Sequence, residues 1–499
     1  MRQKLLQDRY FAPGETEERQ IYHRVARSIY PIRDTSSTTS TPTRVATDCA
    51  TLYQAMCNGV WLPNSPTLVN AGVPNRGGLS ACYVLPIEDS LDGIYKTVHD
   101  AARVHKAFGG TGFNFSHLRE EGAPIKSTGG KACGPIKVMK LLNMSADVVS
   151  QGGKRQGANM GILNASHPDI HKFINCKADG ELTHFNISVG MTDEDMKNED
   201  LLMAIAQKAW ATGDPGIIFL DRIKGHHIDG MPDIECTNPC GEQPLRSYES
   251  CNLGSINLSR FPEIADGDCT DFLQTIEMSI RALDAIIDIN TFPIPEIEHA
   301  TLATRKIGSG IMGWADWLVL NGISYQSDEA IHWAQKIGSM YMEKARAVSH
   351  QLAIEKGNYL AWGDTPYAEM RNETLLTIAP TGTLSYLAGC SWGIEPIFDW
   401  DLSRTSEAGT ENIRHPLYNV AASHHLLDDV AHKIDYHWQI QHVAAWQKNV
   451  DNGVSKTINM PSTATVEDVL QAFKMAHRMG LKGITVYRDG SKQKQAVVS

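Results

Sequence analysis

No stretch of this 499-residue sequence approaches the roughly 18 uninterrupted apolar residues that a membrane helix needs. The opening MRQKLLQDRYFAPGETEERQ scatters charge where a signal peptide would carry an apolar core. Export and membrane insertion are not expected, and a cytoplasmic location is. A positive excess is also missing, with 46 Lys and Arg against 57 Asp and Glu and a formal net charge of −11. That balance argues against a nucleic-acid polymer as partner, while local Lys and Arg can still hold the phosphates of a small nucleotide. No repeat period is visible, and 42% hydrophobic with 21% charged residues excludes collagen, disorder or a disulfide mini-scaffold. Cys236, Cys240 and Cys251 lack the paired C-x-x-C spacing of structural zinc, and no His follows at finger spacing, so no metal site is expected. Ten cysteines without an export signal are poor evidence for structural disulfides. Most are expected to be buried small hydrophobes, and any pair that oxidises is expected to be catalytic or redox-sensing.

What is present reads as one large α/β unit. Residues 1–59 read as mostly helical, broken by a polar loop, RDTSSTTSTPTRVATD, from Arg33 to Asp48. From Val60 to about residue 400 short apolar runs alternate with helical patterns, the signature of parallel strands joined by crossover helices. One helix is well marked, with Leu91, Ile94, Tyr95, Val98, Ala102 and His105 on one face and Asp89 and Ser90 ahead of it as capping candidates. Residues 401–499 read as mostly helix-like, ending with a strand in GITVYRD, Gly483 to Asp489. The histidines of HPLYNVAASHHLLDDVAHKIDYHWQIQH are irregularly spaced and read as solvated or satisfied rather than as ligands.

The chemistry concentrates in NPCGEQPLRSYESCNLGSINL, Asn238 to Leu258. In an extended segment Asn238, Cys240 and Glu242 share one face, while Pro239 and Gly241 shape a tight, exposed backbone. Glu242 can then take a proton, Asn238 can orient a hydroxyl, and Cys240 can act as a nucleophile or as a hydrogen-atom abstractor. The bland alternative is a buried turn cysteine beside a capping Asn.

This segment resembles the active-site segment of the ribonucleotide reductases. LPNSPTLVNAG, LSACYVLPIEDSLDGI, GGTGFNFSHLR, KSTGGKACGPIKVM, SQGGKRQGANMGIL, FNISV, ATGDPGIIFLDRI, TRKIGSGIMGWADWL and IAPTGTLSYLAGCSWGIEPIF resemble the same family in the same order, from about residue 60 to 491. The resemblance implies a ten-stranded α/β barrel with a central finger loop, flanked by helical N- and C-terminal segments, with the barrel over 60–400 and 401–499 completing it. It implies that Cys240 is the thiyl radical that removes the substrate's 3'-hydrogen, that Glu242 draws the 3'-hydroxyl proton and that Asn238 hydrogen-bonds the ribose. Cys82 and Cys251 are implied as the redox pair. Folding must then bring their Cα atoms to roughly 4.4–6.8 Å.

LLTIAPTGTLSYLAG, Leu375 to Gly389, reads as strand, tight turn and helix, a phosphate-binding arrangement or simply a good N-cap. The resemblance assigns Pro380, Thr381, Gly382, Thr383, Leu384 and Ser385 to the substrate phosphates, expected to be those of a diphosphate, and Ser65, Thr67, Ala81 and Gly110 to the substrate. A second site is implied, where a dNTP effector selects the base. Asp89, Ser90 and Lys126 match its sugar and phosphate contacts, and SQGGKRQGANM, with Lys154 and Arg155, matches the flexible loop between the two sites. Capping is the bland alternative for Asp89.

Family members that take their radical from a separate metal subunit have adjacent tyrosines near the C-terminal end, and no Tyr-Tyr pair occurs here. GLKGITVYRDGSK, after VDNGVSKTINMPSTATVEDV, resembles the adenosylcobalamin-dependent enzymes instead. That implies adenosylcobalamin as cofactor, a thioredoxin-like or glutaredoxin-like reductant, and a possible homodimer pairing helices near the effector site. The last cysteine is Cys390, so the C-terminal cysteine tail of many such chains is not expected, nor is a nucleotide-binding cone for overall on/off control. The competing readings are the large subunit of a reductase that needs a metal-radical partner, and a non-catalytic nucleotide-binding relative.

Overall fold

The computed structural model describes residues 2–32, 44–75, 77–149, 157–178, 180–225, 228–363, 369–406 and 409–491. Its strands are β1 (Trp61–Pro63), β2 (Cys82–Val84), β3 (Gly110–Asn114), β4 (Asn159–Asn164), β5 (Phe185–Met191), β6 (Gly216–Phe219), β7 (Cys236–Thr237), β8 (Pro244–Leu245), β9 (Ser250–Asn257), β10 (Ile307–Met312), β11 (Asp401–Ser406), β12 (Gly409–Arg414), β13 (Thr457–Met460) and β14 (Gly483–Arg488). Ten of them form one sheet in the order β1-β9-β2-β3-β4-β5-β6-β14-β13, with β10 also on β9.

The pairing directions divide this sheet into halves. β2 to β6 run parallel to one another, β9 and β10 run parallel, and β13 and β14 run parallel. The halves meet antiparallel at β2·β9 and at β6·β14. Parallel bridges Ser309↔Leu376 and Ile378↔Val454 lead from β10 through residues 376–378 to the start of β13, closing the ring. Long helices cover the outside, as buried parallel strands require, among them Leu91–Lys106, Pro135–Val148, Glu199–Thr212, Thr270–Asp288 and Asp328–Lys356. Arg2–Arg9, Glu18–Ile29 and Arg44–Cys57 precede the first strand.

A short antiparallel hairpin, β7 and β8, enters the ring. Glycine makes room for it: a Cβ on Gly112 of β3 would lie 1.8 Å from the Thr237 carbonyl oxygen. Across the ring, a Cβ on Gly310 of β10 would lie 1.9 Å from the Thr377 carbonyl oxygen. The inner apolar layer around the hairpin joins Cys82, Val84, Met160, Ile162, Ile218, Cys236, Leu245, Cys251 and Leu253, and it is separate from the larger core between sheet and helices.

Four features differ from the reading of the sequence. Arg44 to Asp48, read as loop, open the helix Arg44–Cys57, while 33–43 lie outside the described residues. The helix after Ser90 starts as expected, but Leu91 and Tyr95 are 72% and 57% exposed and the buried residues are Thr97, Asp100, Ala101, Val104 and His105. The segment after Trp400 holds the hairpin β11–β12 and strand β13 besides helices; Thr457 to Met460 alternate inward and outward, a period the neighbouring helical patterns hide. Of the cysteines, only Cys49, Cys82, Cys236 and Cys251 are buried.

Candidate active site

The hairpin carries Asn238, Cys240 and Glu242 on its tip, but not on one face. The Gly241 amide donates to the Asn238 carbonyl at 3.1 Å and the Asn238 amide to the Gln243 carbonyl at 3.1 Å, so the segment is a turn rather than a strand. Gly241 takes φ +82°, a value that favours glycine, and the chain reverses there. Cys240 is consequently exposed at the apex, while Asn238 and Glu242 are buried. Pro239 packs on Gly110 of β3, and the Asn186 side chain of β5 donates to the Pro239 carbonyl at 2.8 Å.

Cys82 and Cys251 face each other directly. They are paired residues across the antiparallel junction of β2 and β9, and both thiols are buried. Opposed residues in such a ladder have Cα atoms about 4.5–5.5 Å apart, inside the range a disulfide spans. The Asn238 side-chain amide donates to the Cys82 sulfur at 3.1 Å, tying the hairpin to the pair. Burial holds both thiols well above their usual range, and the neighbouring Glu242 raises both further. Lys306 works in the opposite direction on Cys251. Glu242 itself is pushed up to about 7 by burial, with a hydrogen bond from Asn238 pulling the other way. Its Oε2 is buried without a hydrogen-bond partner. The site thus combines an exposed thiol, a sealed dithiol and a carboxyl group poised to exchange a proton near neutral pH.

The substrate residues expected from the sequence gather on the same side of the ring. Ala81 donates its amide to the Cys251 carbonyl and accepts from Gly110, so both flank the cysteine pair. Asn64 bonds the Leu253 carbonyl through its amide and caps Thr67, whose hydroxyl donates to Leu79 at 3.1 Å. Ser65 lies 2.8 Å from the Tyr10 hydroxyl. Gly382–Ala388 is a short helix beginning at Thr381, which holds φ +54° and accepts the Gly393 amide at 2.8 Å. Pro380 is exposed, Gly382 and Thr383 are half-buried, and Leu384 and Ser385 point inward, Ser385 lying 2.8 Å from the Thr381 hydroxyl. The backbone amides of the first turn are therefore the groups the loop can offer a phosphate, rather than Ser385.

Of the second-site residues, Ser90 caps its helix through Gly93 and Asp89 receives Arg119 at 2.6 Å. Arg119 also reaches the Pro124 carbonyl, in the exposed turn that carries Lys126. A cavity of about 470 Å³ adjoins Asp89, lined also by Glu88, His117, Asp233 and Glu235. Its carboxylates suit sugar hydroxyls, with Arg119 and Lys126 the cations outside. Lys154 and Arg155 lie outside the described residues. Among the described histidines of the late segment, His442 is buried between the Trp314 ring nitrogen and the Tyr325 carbonyl.

Two features had no signal in the sequence. Arg246, Glu249, Lys306 and Glu373 form a buried ion network inside the ring, with Lys306 Nζ 2.7 Å from Glu249 and Arg246 2.9 Å from Glu373. Leu91 and Tyr95 on one helix, and Met144 and Val148 on the helix packed beside it, are large apolar side chains left exposed. Their i,i+4 spacing reads as ordinary core until the structure shows which way it faces.

Comparison with known proteins agrees with this architecture. Residues 1–76 match the ribonucleotide reductase all-alpha domain, and 80–200, 193–370 and 368–487 match the ribonucleotide reductase barrel domain. A vitamin B12-dependent ribonucleoside-diphosphate reductase of Thermoplasma acidophilum is 43% identical over 88% of this chain and 65% of its own length. One from Mycobacterium tuberculosis is 39% identical over 99% of this chain and 79% of its own. This chain thus spans about two thirds to four fifths of those relatives. The solved class Id ribonucleotide reductase alpha subunit of Actinobacillus ureae superposes with TM-score 0.80 at 24% identity, covering 98% of this chain and 96% of that one, which speaks to the fold. A barrel closed on an intruding hairpin, two domain matches along its length and these identities have one common explanation: the chain belongs to the ribonucleotide reductase family.

Proposed function

We propose that this protein is an adenosylcobalamin-dependent ribonucleoside-diphosphate reductase, making 2'-deoxyribonucleotides for DNA synthesis by thiyl-radical chemistry. The observation that carries the reading is the sealed Cys82 and Cys251 pair, in register across the half-barrel junction, beside buried Asn238 and Glu242. A regulatory nucleotide-binding relative has no use for two opposed buried thiols next to a carboxyl group of raised pKa.

Adenosylcobalamin fits the site on one count: Cys240 is the exposed cysteine of the three, so a bulky group over the ring mouth reaches its sulfur while the dithiol stays covered. The residues nearest Cys240, among them Gly241, would hold it, and when bound it supplies the radical through its cobalt–carbon bond.

Cys240 then takes the 3'-hydrogen of the ribose, and Glu242 takes the 3'-hydroxyl proton, with Asn238 orienting the sugar. The 2'-hydroxyl leaves as water. Cys82 and Cys251 supply two electrons and two protons by closing a disulfide, and Cys240 returns hydrogen to the 3'-carbon. The sum is ribonucleotide plus dithiol giving deoxyribonucleotide, disulfide and water. Cys240 is exposed at the apex, so substrate and cofactor seated over it would supply the screening from solvent that the radical requires. The Thr381 turn and the first amides of Gly382–Ala388, with Ser65, Thr67, Ala81 and Gly110, seat the diphosphate substrate. A thioredoxin-like or glutaredoxin-like dithiol protein is the reductant class. A dNTP effector binds by Asp89, Ser90 and Lys126, with Lys154 and Arg155 on the connecting loop. The exposed Leu91 and Tyr95, and Met144 and Val148 on the neighbouring helix, supply apolar surface for a second copy of the chain.

The test is reduction of CDP and CTP by the purified chain with dithiothreitol and effector dNTPs, with and without adenosylcobalamin. Cobalamin-dependent deoxynucleotide formation is expected. Product only on adding a metal-radical subunit, or none under any effector, sinks the reading.

A further inference from the structure

Glu242 must present its carboxyl group to a substrate from the tip of a hairpin whose next-door residue, Gly241, is the most easily deformed point of the turn. Something outside the hairpin has to hold its main chain. The Glu242 carbonyl oxygen receives two donors from two different segments, the Gly453 amide at 2.7 Å and the Thr377 hydroxyl at 2.9 Å. The same Thr377 hydroxyl lies 3.1 Å from the Gly453 carbonyl, so its proton sits between the two, with Glu242 nearer. Thr377 is 1% exposed, so the bond lies away from bulk solvent.

Among the described residues, these two segments join the ring through bridges instead of a regular ladder. Side chains replace the missing rungs. The Asp451 carboxylate accepts the Leu375 and Leu376 amides at 2.8 and 2.7 Å, and the Asn452 amide donates to the Ile307 and Leu376 carbonyls at 3.2 and 2.9 Å. Lys482 in turn donates to the Asp451 carbonyl and to Asn452 at 2.8 Å. Contact with the hairpin is close throughout: a Cβ on Gly453 would lie 2.8 Å from the Gly241 carbonyl oxygen and 3.0 Å from the Glu242 Cα. The wall therefore leaves its ladder open where the hairpin tip docks, and spends one of its hydroxyls on the Glu242 backbone.

We propose that Thr377 is a positioning residue: its hydroxyl fixes the main chain of Glu242, and through it the placement of the carboxyl group that exchanges the substrate's 3'-hydroxyl proton. The proposal rests on the proton-transfer role given to Glu242 above. Thr377 touches neither substrate nor cofactor in this scheme and contributes no charge. What it supplies is geometry, for which a displacement near 1 Å can cost about 100-fold in rate.

Thr377→Val removes the hydroxyl and keeps the shape; Thr377→Ser keeps the hydroxyl and removes the methyl group. CDP reduction and thermal melting of the wild-type chain and both variants, loaded with adenosylcobalamin, give the test. The expected result is that T377V loses at least about tenfold in kcat with KM for CDP within threefold of wild type, and that T377S returns to within threefold in both. T377V with wild-type kcat overturns the proposal, and if KM for CDP is raised at the same time the hydroxyl serves substrate binding instead. If T377V does not fold, T377S decides: full kcat at a lowered melting temperature supports the hydroxyl, and a depressed kcat at an unchanged one overturns it. A wild-type chain without activity refutes the proposed function instead, so the two failures are distinguishable.

Discussion

Cys82 and Cys251, 169 positions apart by their numbering, stand directly opposite each other where the two half-barrels join antiparallel. A junction of that kind is a natural seat for a reversible disulfide. The strands on either side belong to different halves, so closing the bond stitches the halves without changing register. Burial holds both thiols well above their usual range, which keeps them protonated and protects them from casual oxidation. The expected outcome is stoichiometric: reduced protein given substrate and no external thiol yields one product per chain, and alkylation with mass spectrometry finds Cys82 and Cys251 alone in a disulfide. Cys82→Ser and Cys251→Ser form no such bond and give no sustained turnover with dithiothreitol. A disulfide elsewhere, or turnover by either variant, would falsify the pairing.

Glu242 sets a pH dependence of definite sign. A base must be ionised to take a proton, and burial has pushed this carboxyl group up to about 7. The kcat for CDP should therefore rise with pH through about 7, an acidic limb set far above that of an ordinary glutamate. Stability runs the other way. A folded pKa above the unfolded one means that the native state binds more protons between them, so Glu242 costs stability as pH climbs from the ordinary glutamate range through about 7. Glu242→Gln should abolish the acidic limb together with nearly all turnover, and should melt above wild type at pH 8 while matching it only below the ordinary glutamate range, at about pH 4 or lower. An acidic limb that persists in a variant with residual activity, or stays near 4, would assign the base elsewhere.

How far these residues were legible beforehand differs case by case. The site segment could be found from Asn238 to Cys251, but the alternation argument placed Cys240 beside Asn238 and Glu242 on one face. The turn at Gly241 instead sends Cys240 outward and the other two inward. Periodicity located the helix after Ser90, and Ile94, Val98 and His105 do pack inward, but Leu91 and Tyr95, which share their spacing, are left exposed at the helix start. Strand β13 was hidden among helical patterns, since it has four residues and takes its partner from β14. Thr377 carries no local signal at all. Its significance is a hydroxyl bond to a carbonyl 135 residues away, and only tertiary structure specifies that.

The buried ion network gives a prediction about stability rather than chemistry. Arg246, Glu249, Lys306 and Glu373 have side chains no more than 3% exposed. Two cations and two carboxylates balance there. Lys306→Met leaves two buried carboxylates with one cation, which should cost about 3–5 kcal/mol in chemical denaturation. Pairing it with Glu249→Gln should recover part of that loss, because the uncompensated charge goes too. Equal destabilisation by the single and double variants would show that the four groups do not act as a unit.

The exposed apolar side chains make an assembly prediction. Leu91, Tyr95, Met144 and Val148 are 72%, 57%, 61% and 76% exposed, on two helices that pack against each other, the first of which opens at Leu91 just after Asp89. Single exposed apolar residues need no explanation, whereas an i,i+4 apolar pair left open on each of two adjacent helices is surface that gains by being covered. A second copy of the chain brings the same face, and a two-fold arrangement would bury both at once. Sedimentation of the wild-type chain should show a dimer at micromolar concentration, and Leu91→Glu combined with Val148→Glu should weaken it at least about tenfold by placing like charges in an apolar contact. Because Asp89 and Ser90 immediately precede Leu91, the same double variant should lose its response to effector dNTPs while keeping the basal rate of CDP reduction, since both substitutions lie on helices outside the ring. A wild-type chain that sediments as a monomer throughout, or a double variant that still dimerises, would remove this face from the account and leave its exposure unexplained.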